Sequence, residues 1–413
     1  MKILHTADIH IGYETHGKLD ASTGLNSRLL DFEKCFQEMV QKGLDEKIDL
    51  FLFVGDAYRD AHPSPTEQRI FSRALKPIID ANIPIVMIVG NHDHPVAFGK
   101  SNSIEIFSNL IDDVILFSKP ESKDIETKSG KVRVVGLPWP QRSLLYTKHE
   151  HQDKNPEEIR DAMKREYLDF ISEEAMRIQT EKINYPTILA AHLHVDTAQF
   201  TEGSEKMLIE TRDPVFSVDS LAHPAFDYVA LGHIHRYQNL NQGKTPPVVY
   251  SGSIERVSFA EWQQPKGFVI VEFDSEKRAR YSHIQTQARK FFSFDDDLSS
   301  LDMSIDVNQY LQEKLLQLDF TDAVIRLRFN CTAIQKAQVN FSFLRDLLKS
   351  ASSIAELRFT VEKETIDSTN SPRVTLSDSV ETALERFIER KGTGGLPKDK
   401  IMEAARNLEN QSY

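Results

Sequence analysis

Eight residues of this chain join metal-binding or proton-transfer chemistry to a repeated placement: Asp8, His10, Asp56, Asn91, His92, His192, His233 and His235. Each follows an apolar run, at 2–6, 50–54, 83–89, 187–191 and 228–231, and the runs end in Asp8-Ile9-His10, Gly55-Asp56, Gly90-Asn91-His92-Asp93, His192-Leu193-His194 and Gly232-His233-Ile234-His235. A buried strand that stops at such residues presents them at its end, the edge left open when helices cover both faces of a sheet. Taken singly the signals are weak. An acid after a strand often caps a turn, and Asp8 with His10 could be a turn aspartate beside a surface histidine. Taken together they supply carboxylate oxygens and imidazole nitrogens in a mixture suited to Mn²⁺, Fe or Zn²⁺ rather than Ca²⁺. Two ions about 3.5–4 Å apart need one bridging carboxylate and roughly three further ligands each. The set provides that number with one residue over. Such a pair polarises phosphoryl oxygens and offsets transition-state charge, and the remaining His92 could protonate a leaving oxygen.

The elements that must position these groups are legible around them. Residues 28–42 carry Leu29, Phe32, Phe36, Met39 and Val40 at helical spacing, and 63–74 reads as a helix entered through Ser64-Pro65. Residues 132–137 read as a strand closed by Pro138-Trp139-Pro140, and 148–155 as a polar loop. Asn155-Pro156-Glu157-Glu158 has the features of a helix start, and Ile159, Met163, Tyr167, Phe170, Ile171 and Ile178 give that helix one apolar face. Strands follow at 248–251 and 268–273. Gly243-Lys244-Thr245 fails as a phosphate loop, because Gln238 stands where the earlier glycine belongs and Pro246-Pro247 forbids the helix.

At 413 residues the chain exceeds one comfortable core. Its composition is that of a globular protein, and its two cysteines, Cys35 and Cys331, sit in apolar contexts, as core residues of a reducing compartment would. The opening MKILHTADIH reads as a core strand rather than a signal, so a cytoplasmic location with no membrane association is expected. The net charge of −12 argues against a general polyanion binder; a nucleic-acid substrate would need metal ions, local basic patches or a partner.

Beyond about residue 290 the pattern becomes a small α+β unit: strand 290–294, an acidic turn at 295–297, helix 307–318, strand 323–329, helix 341–350 and strand 356–361. A polar linker at 367–372 precedes two amphipathic helices, the first marked by Val380, Leu384, Phe387 and Ile388, the second by Ile401, Ala404, Ala405 and Leu408, with a glycine break at 392–395. Such a pair either docks on its own core or forms a partner-binding arm. Arg278, Arg280, Arg289 and Lys290 form a basic cluster that is either a DNA contact or a solvated face.

In order along the chain, D-x-H, GD, GNHD, H and GHxH resemble the calcineurin-like metallophosphoesterases. HTADIHIG (5–12), GLPW (136–139), LGHIH (231–235) and YSGSIERVSF (250–259) are similar to the SbcD nuclease branch of that family. The resemblance covers roughly residues 1–290. It implies a four-layer α/β/β/α metallophosphoesterase sandwich over 1–288, a small α+β capping domain for DNA recognition over 289–365, and a linker with C-terminal partner-binding helices over 366–413. It also implies a DNA exonuclease with endonuclease and hairpin-opening activity in double-strand break processing. The cofactors would be two divalent cations, Mn²⁺ before Mg²⁺. The partners would be DNA and an SbcC-type SMC-like ATPase, in a heterotetramer built on a homodimer at the nucleoid.

By the same resemblance Asp56 bridges the ions, Asp8, His10 and His235 complete one site, Asn91, His192 and His233 the other, and His92 is catalytic. Arg59, Ser253 and Arg256 are the DNA-contact candidates. Arg59 departs from the archaeal and eukaryotic pattern, which has a histidine there linked to exonuclease action; an arginine can hold a phosphate but is a poor proton shuttle. His5, His94 and His194 match no ligand position and are expected to support or pack. The alternative is a stand-alone phosphodiesterase or nucleotidase acting on small substrates. A protein phosphatase would show GDxxDRG and GNHE, where this chain has GDAYRD and GNHD.

Overall fold

A computed structural model describes residues 1–95, 99–141, 155–201, 213–302, 304–361, 382, 384–385, 388 and 398–409. Two six-stranded sheets lie face to face. Across the first the order is Ala279–Gln285, Gly267–Phe273, Lys2–Thr6, Leu50–Val54, Ile85–Ile88, Val114–Phe117. Across the second it is Gln238–Asn239, Val248–Tyr250, Tyr228–Gly232, Thr187–His192, Gly130–Leu137, Glu121–Thr127. Lys2–Thr6, Leu50–Val54, Ile85–Ile88 and Val114–Phe117 run parallel in the first sheet, and Val248–Tyr250, Tyr228–Gly232, Thr187–His192 and Gly130–Leu137 in the second. Their C-terminal ends therefore gather at one edge of each sheet, and it is there that the candidate residues sit.

Parallel strands are buried on both faces and read as unbroken apolar runs. Leu50, Leu52 and Val54 point inward against Ile188, Ala190 and Ala230 of the second sheet. Phe51 and Phe53 point outward, onto Phe36 of helix Ser27–Asp45 and Phe71 of helix Pro65–Asp80. On the far side, Leu189, Val229 and Leu231 meet Tyr167, Ile171 and Ile178 of helix Pro156–Thr180. The layers are thus helix, sheet, sheet, helix, as expected. Helix Pro156–Thr180 starts at the anticipated signal: Asn155 accepts the Glu158 N–H at 2.9 Å, and Glu158 returns the bond to Asn155 at 3.0 Å.

A second core lies in the three-stranded parallel sheet Phe291–Asp297, Val324–Cys331, Ser353–Val361. Ile325, Leu327 and Phe329 pack beneath helices Val307–Leu316 and Phe341–Leu347. Here the reading of 295–297 as a turn is corrected. Asp295 lies opposite Arg328 in the ladder and chelates its guanidinium at 3.0 and 3.1 Å, so cross-strand pairing holds an acidic stretch in a strand.

The two cores meet at Phe259, Phe291 and Val324. Below them Arg28, 2% exposed, binds Asp31 at 2.7 Å and the Arg256 carbonyl, and its guanidinium lies 5.0 Å from the Phe291 ring. Arg289 closes the junction. It chelates Asp31, and its backbone N–H donates to Glu255 at 2.7 Å. Of the basic cluster only Arg289 is corrected, as a structural tie; Arg278, paired with Asp274 and Glu276, Arg280, and Lys290, paired with Asp319, lie on a solvated face.

Both cysteines are buried thiols. Among the described residues no helix is long and apolar enough to cross a membrane. The loop at 148–154, the linker at 367–372, the glycine break and most of the first terminal helix lie outside the described residues; the second helix spans Lys398–Glu409.

Candidate dinuclear metal centre

The backbone that delivers four of the eight candidate residues is not extended. Asp8 (φ 54°), His10 (52°), Asp56 (64°) and His233 (103°) all lie in the left-handed region. Non-glycine residues there cost on the order of 1–3 kcal/mol each, and such strain gathers at functional sites. Asp8 and His10 therefore converge through two left-handed residues beyond the strand, not by strand alternation. Asp93 holds the Asp56 turn. Its fully buried carboxylate accepts the N–H groups of Gly90 (2.8 Å), Asp56 (2.9 Å) and Ala57 (3.0 Å), pinning two strand ends together. Gly90 is required by the same closeness, since a Cβ there would run into the Asp56 carboxylate.

All eight side chains come together. Asp8 accepts the His233 N–H on both oxygens, at 3.0 and 3.1 Å. Asp56 lies 3.6 Å from His10 Nε2 and 3.4 Å from His192 Nε2, and its other oxygen accepts the His92 N–H at 2.9 Å. Asn91 Oδ1 stands 3.0 Å from His192 Nε2 and 3.1 Å from His233 Nδ1. His10 and His235 face each other Nε2 to Nε2 at 2.9 Å. Three overlapping triads emerge: Asp8 with His10 and His235, His10 with Asp56 and His92, and Asp8 with Asp56 and His192. Within each, one ligand atom per residue lies within 4.8 Å of the others.

The electrostatics fit cations. Burial lifts Asp8 to about 7, and burial first, then His235, holds His10 well below its ordinary range, leaving its imidazole neutral with a lone pair available. Burial likewise pushes His233 far down. Burial also opposes charge on Asp56 and His192, but their mutual attraction wins; it keeps Asp56 ionised and raises His192 to about 9. A proton on His192 thus occupies the place where cationic charge is wanted, and bound divalent ions would invert that local balance. The donor set of carboxylate, amide oxygen and imidazole suits two divalent ions.

Hydrogen bonds fix which ring nitrogens face inward. His192 Nδ1 donates to the Val54 carbonyl at 2.7 Å, so Nε2 is left for the site. His92 Nδ1 donates to the Arg59 carbonyl at 2.6 Å, again freeing Nε2. Trp139 lays its ring 4.6 Å from His233. His5 and His194 are buried beside the cluster, His5 bridging Tyr228 and the Leu231 carbonyl, His194 against Phe200; His94 contacts Gln141.

Two DNA-contact candidates are corrected. Ser253 is fully buried and bonded to Lys266 and the Glu255 carbonyl, and Arg256 commits both terminal nitrogens to the carbonyls of Arg289 and Gln264. Arg59 is exposed at the rim, its guanidinium 5.6 Å from the Tyr13 ring. Sequence reasoning missed the roles of Asp93 and Trp139, although both sit inside motifs it singled out. It missed Glu261 and Lys266 altogether. Glu261 bonds His235 Nδ1 at 2.9 Å and Lys266 at 2.8 Å, and no local pattern links residues this far apart.

Residues 1–237 match the family model for calcineurin-like phosphoesterases, and the chain belongs to that family, a class of metal-dependent hydrolases. It is 24% identical to the SbcD subunit of the SbcCD nuclease of Bacillus subtilis (strain 168) over 408 residues, which cover 98% of this chain and 96% of that protein. It is 27% identical over 279 residues to the SbcD subunit from Staphylococcus epidermidis, covering 67% of each. Among solved structures, a dimetal phosphatase from Danio rerio matches with a TM-score of 0.40 at 10% identity, covering 70% of this chain and 99% of that one.

Proposed function

We propose that this chain is the nuclease subunit of an SbcCD-type complex, hydrolysing DNA phosphodiester bonds with two divalent cations, Mn²⁺ before Mg²⁺. The observation that carries the proposal is the convergence of Asp8, His10, Asp56, Asn91, His192, His233 and His235 from two sheets onto one buried site. The near full-length similarity to a named nuclease subunit supports it. Asp56 would bridge the ions, with Asp8, His10 and His235 on one and Asn91, His192 and His233 on the other. When bound, the pair supplies Lewis-acid polarisation of a phosphoryl oxygen and offsets charge.

The chain's own groups do the rest. The Val54 carbonyl aims His192, and Asp93 fixes the backbone that aims Asp56. His92, with Nδ1 tied to the Arg59 carbonyl, holds its proton-transfer nitrogen Nε2 toward the leaving oxygen. Arg59 holds a phosphate at the rim rather than moving a proton. In this reading the unit at 289–365 shapes DNA access, and the segment at 366–413 binds the ATPase partner. That partner supplies DNA grip against the chain's net charge of −12.

The test is linear duplex DNA and hairpin DNA, with bis-(p-nitrophenyl) phosphate beside them, in Mn²⁺ or Mg²⁺, using the chain and Asp56→Ala. DNA cleavage in Mn²⁺ that the variant loses is the expected result. Turnover of the small diester with DNA untouched, even after the ATPase partner is added, would replace the proposal with a small-substrate phosphodiesterase.

A further inference from the structure

We propose that Glu261, held by Lys266, is a positioning residue that fixes the tautomer and aim of His235 and so sets the affinity of one cation site. The inference rests on the metal-centre reading above. Glu261 and Lys266 side chains are fully buried. One Glu261 oxygen lies 2.9 Å from His235 Nδ1, and the other accepts Lys266 Nζ at 2.8 Å and the Val257 N–H at 3.1 Å. An ionised carboxylate only accepts, so His235 Nδ1 must carry the hydrogen and Nε2 must present its lone pair beside His10 Nε2.

Lys266 does more than neutralise. Its ammonium also bonds the His235 carbonyl at 3.2 Å and Ser253 Oγ at 2.9 Å, so one cation grips both the carboxylate that orients the ring and the backbone that carries it. Two charges buried together gain little stability over an apolar pair of the same volume. Here their hydrogen bonds end on an imidazole instead. His10 and His192 are oriented by backbone carbonyls, of Tyr58 and Val54. A carboxylate partner makes the imidazole a more basic ligand, and losing such a partner typically costs about 10–100-fold in metal affinity.

The pair was not visible as a motif, and it explains why Ser253 is buried: Lys266 binds Ser253 Oγ into the support of His235. The experiment measures Mn²⁺ binding to metal-stripped protein by calorimetry, without DNA, for wild type, Glu261→Gln and the charge-neutral double variant Glu261→Gln/Lys266→Met. The double variant removes both charges, so no buried charge is left unpaired, and thermal unfolding reports its fold. The expected result is two ions on wild type and a 10–100-fold weakening of one of them in either variant, even where the double variant melts like wild type. Wild-type affinity in both variants overturns the role of Glu261. Failure of wild type to bind two ions overturns the metal-centre reading itself. Histidine ¹⁵N NMR of the metal-free wild type is an independent check: His235 protonated at Nδ1 supports the proposal, and protonation at Nε2 sinks it.

Discussion

Replacing Asp93 by Asn tests whether the Asp56 turn depends on a buried carboxylate. Asp93 accepts three backbone N–H bonds at 2.8, 2.9 and 3.0 Å. Bonds to a charged acceptor contribute about 1.5–3 kcal/mol each. An asparagine with its oxygen toward Gly90 and Asp56 keeps two neutral bonds of about 1 kcal/mol each, while its amide points at the Ala57 N–H and leaves that donor unpaired at a further cost of about 1–3 kcal/mol. Burial, and then the charge on Asp56, lift the Asp93 carboxyl to about 6, with the three backbone bonds already opposing that rise. Removing the charge relieves the burial while weakening the two bonds that remain, and the unpaired Ala57 donor leaves a destabilisation of about 1–3 kcal/mol. Urea unfolding of metal-free protein, followed by tryptophan fluorescence, measures it, and Mn²⁺ calorimetry should show weakened binding because Asp56 loses the clamp on its left-handed backbone. A variant within about 0.5 kcal/mol of wild type that also binds Mn²⁺ normally would refute the clamp, since surface-like changes fall in that range.

Two further outcomes follow from groups that are not cation ligands. Burial pushes His5 down to about 3, below the ~6.5 of an unfolded histidine, so the unfolded chain takes up the proton first. Stability is full above pH 6.5 and falls as pH drops toward 3, by about 2 kcal/mol at pH 5; the advantage of wild type over His5→Gln in urea should shrink across that window, and an advantage constant from pH 7 to 5 would rule this out. Arg289→Ala removes the chelated Asp31 contact and the 2.9 Å bond to the Asp322 carbonyl. It should cost about 2–3 kcal/mol at the junction and split calorimetric unfolding into two transitions, whereas one transition at the wild-type temperature would show that the tie is dispensable.

Much of the site was legible because chemistry and burial coincide at strand ends. Leu50–Val54 and Tyr228–Gly232 are wholly apolar until the polar group appears. What escaped was set by partners distant in sequence. Glu121–Thr127 has one apolar residue inside it, Ile125, and becomes a strand only by pairing with Gly130–Leu137. Ala279–Gln285 looks like a polar, basic stretch, and it is held as an edge strand by its register with Gly267–Phe273. The left-handed backbone through which Asp8 and His10 converge was not legible, since positive φ cannot be read from residue type at Asp or His. Ser253 and Arg256 were misread because exposure was assumed for polar residues in a motif, when their partners, Lys266 and Arg289, lie beyond it.

The division of the site between the two sheets has a consequence for how the chain matures. Asp8, His10, Asp56, Asn91 and His92 follow strands of the first sheet, while His192, His233 and His235 follow strands of the second. Contacts such as Asp8 with His233 close loops of 225 residues, and ordering so long a loop comes late because its entropy is lost before the contact repays it. A ribosome-bound chain that has released only the strands from Lys2–Thr6 to Val114–Phe117 carries Asp8, His10, Asp56 and Asn91 but not His192, His233 and His235. Cation capture would then act as a clasp across the finished sandwich, adding RT ln(1 + [L]/Kd) per site to the closed form alone. Metal supply would thereby govern how long the protein survives in the cell as well as how fast it works.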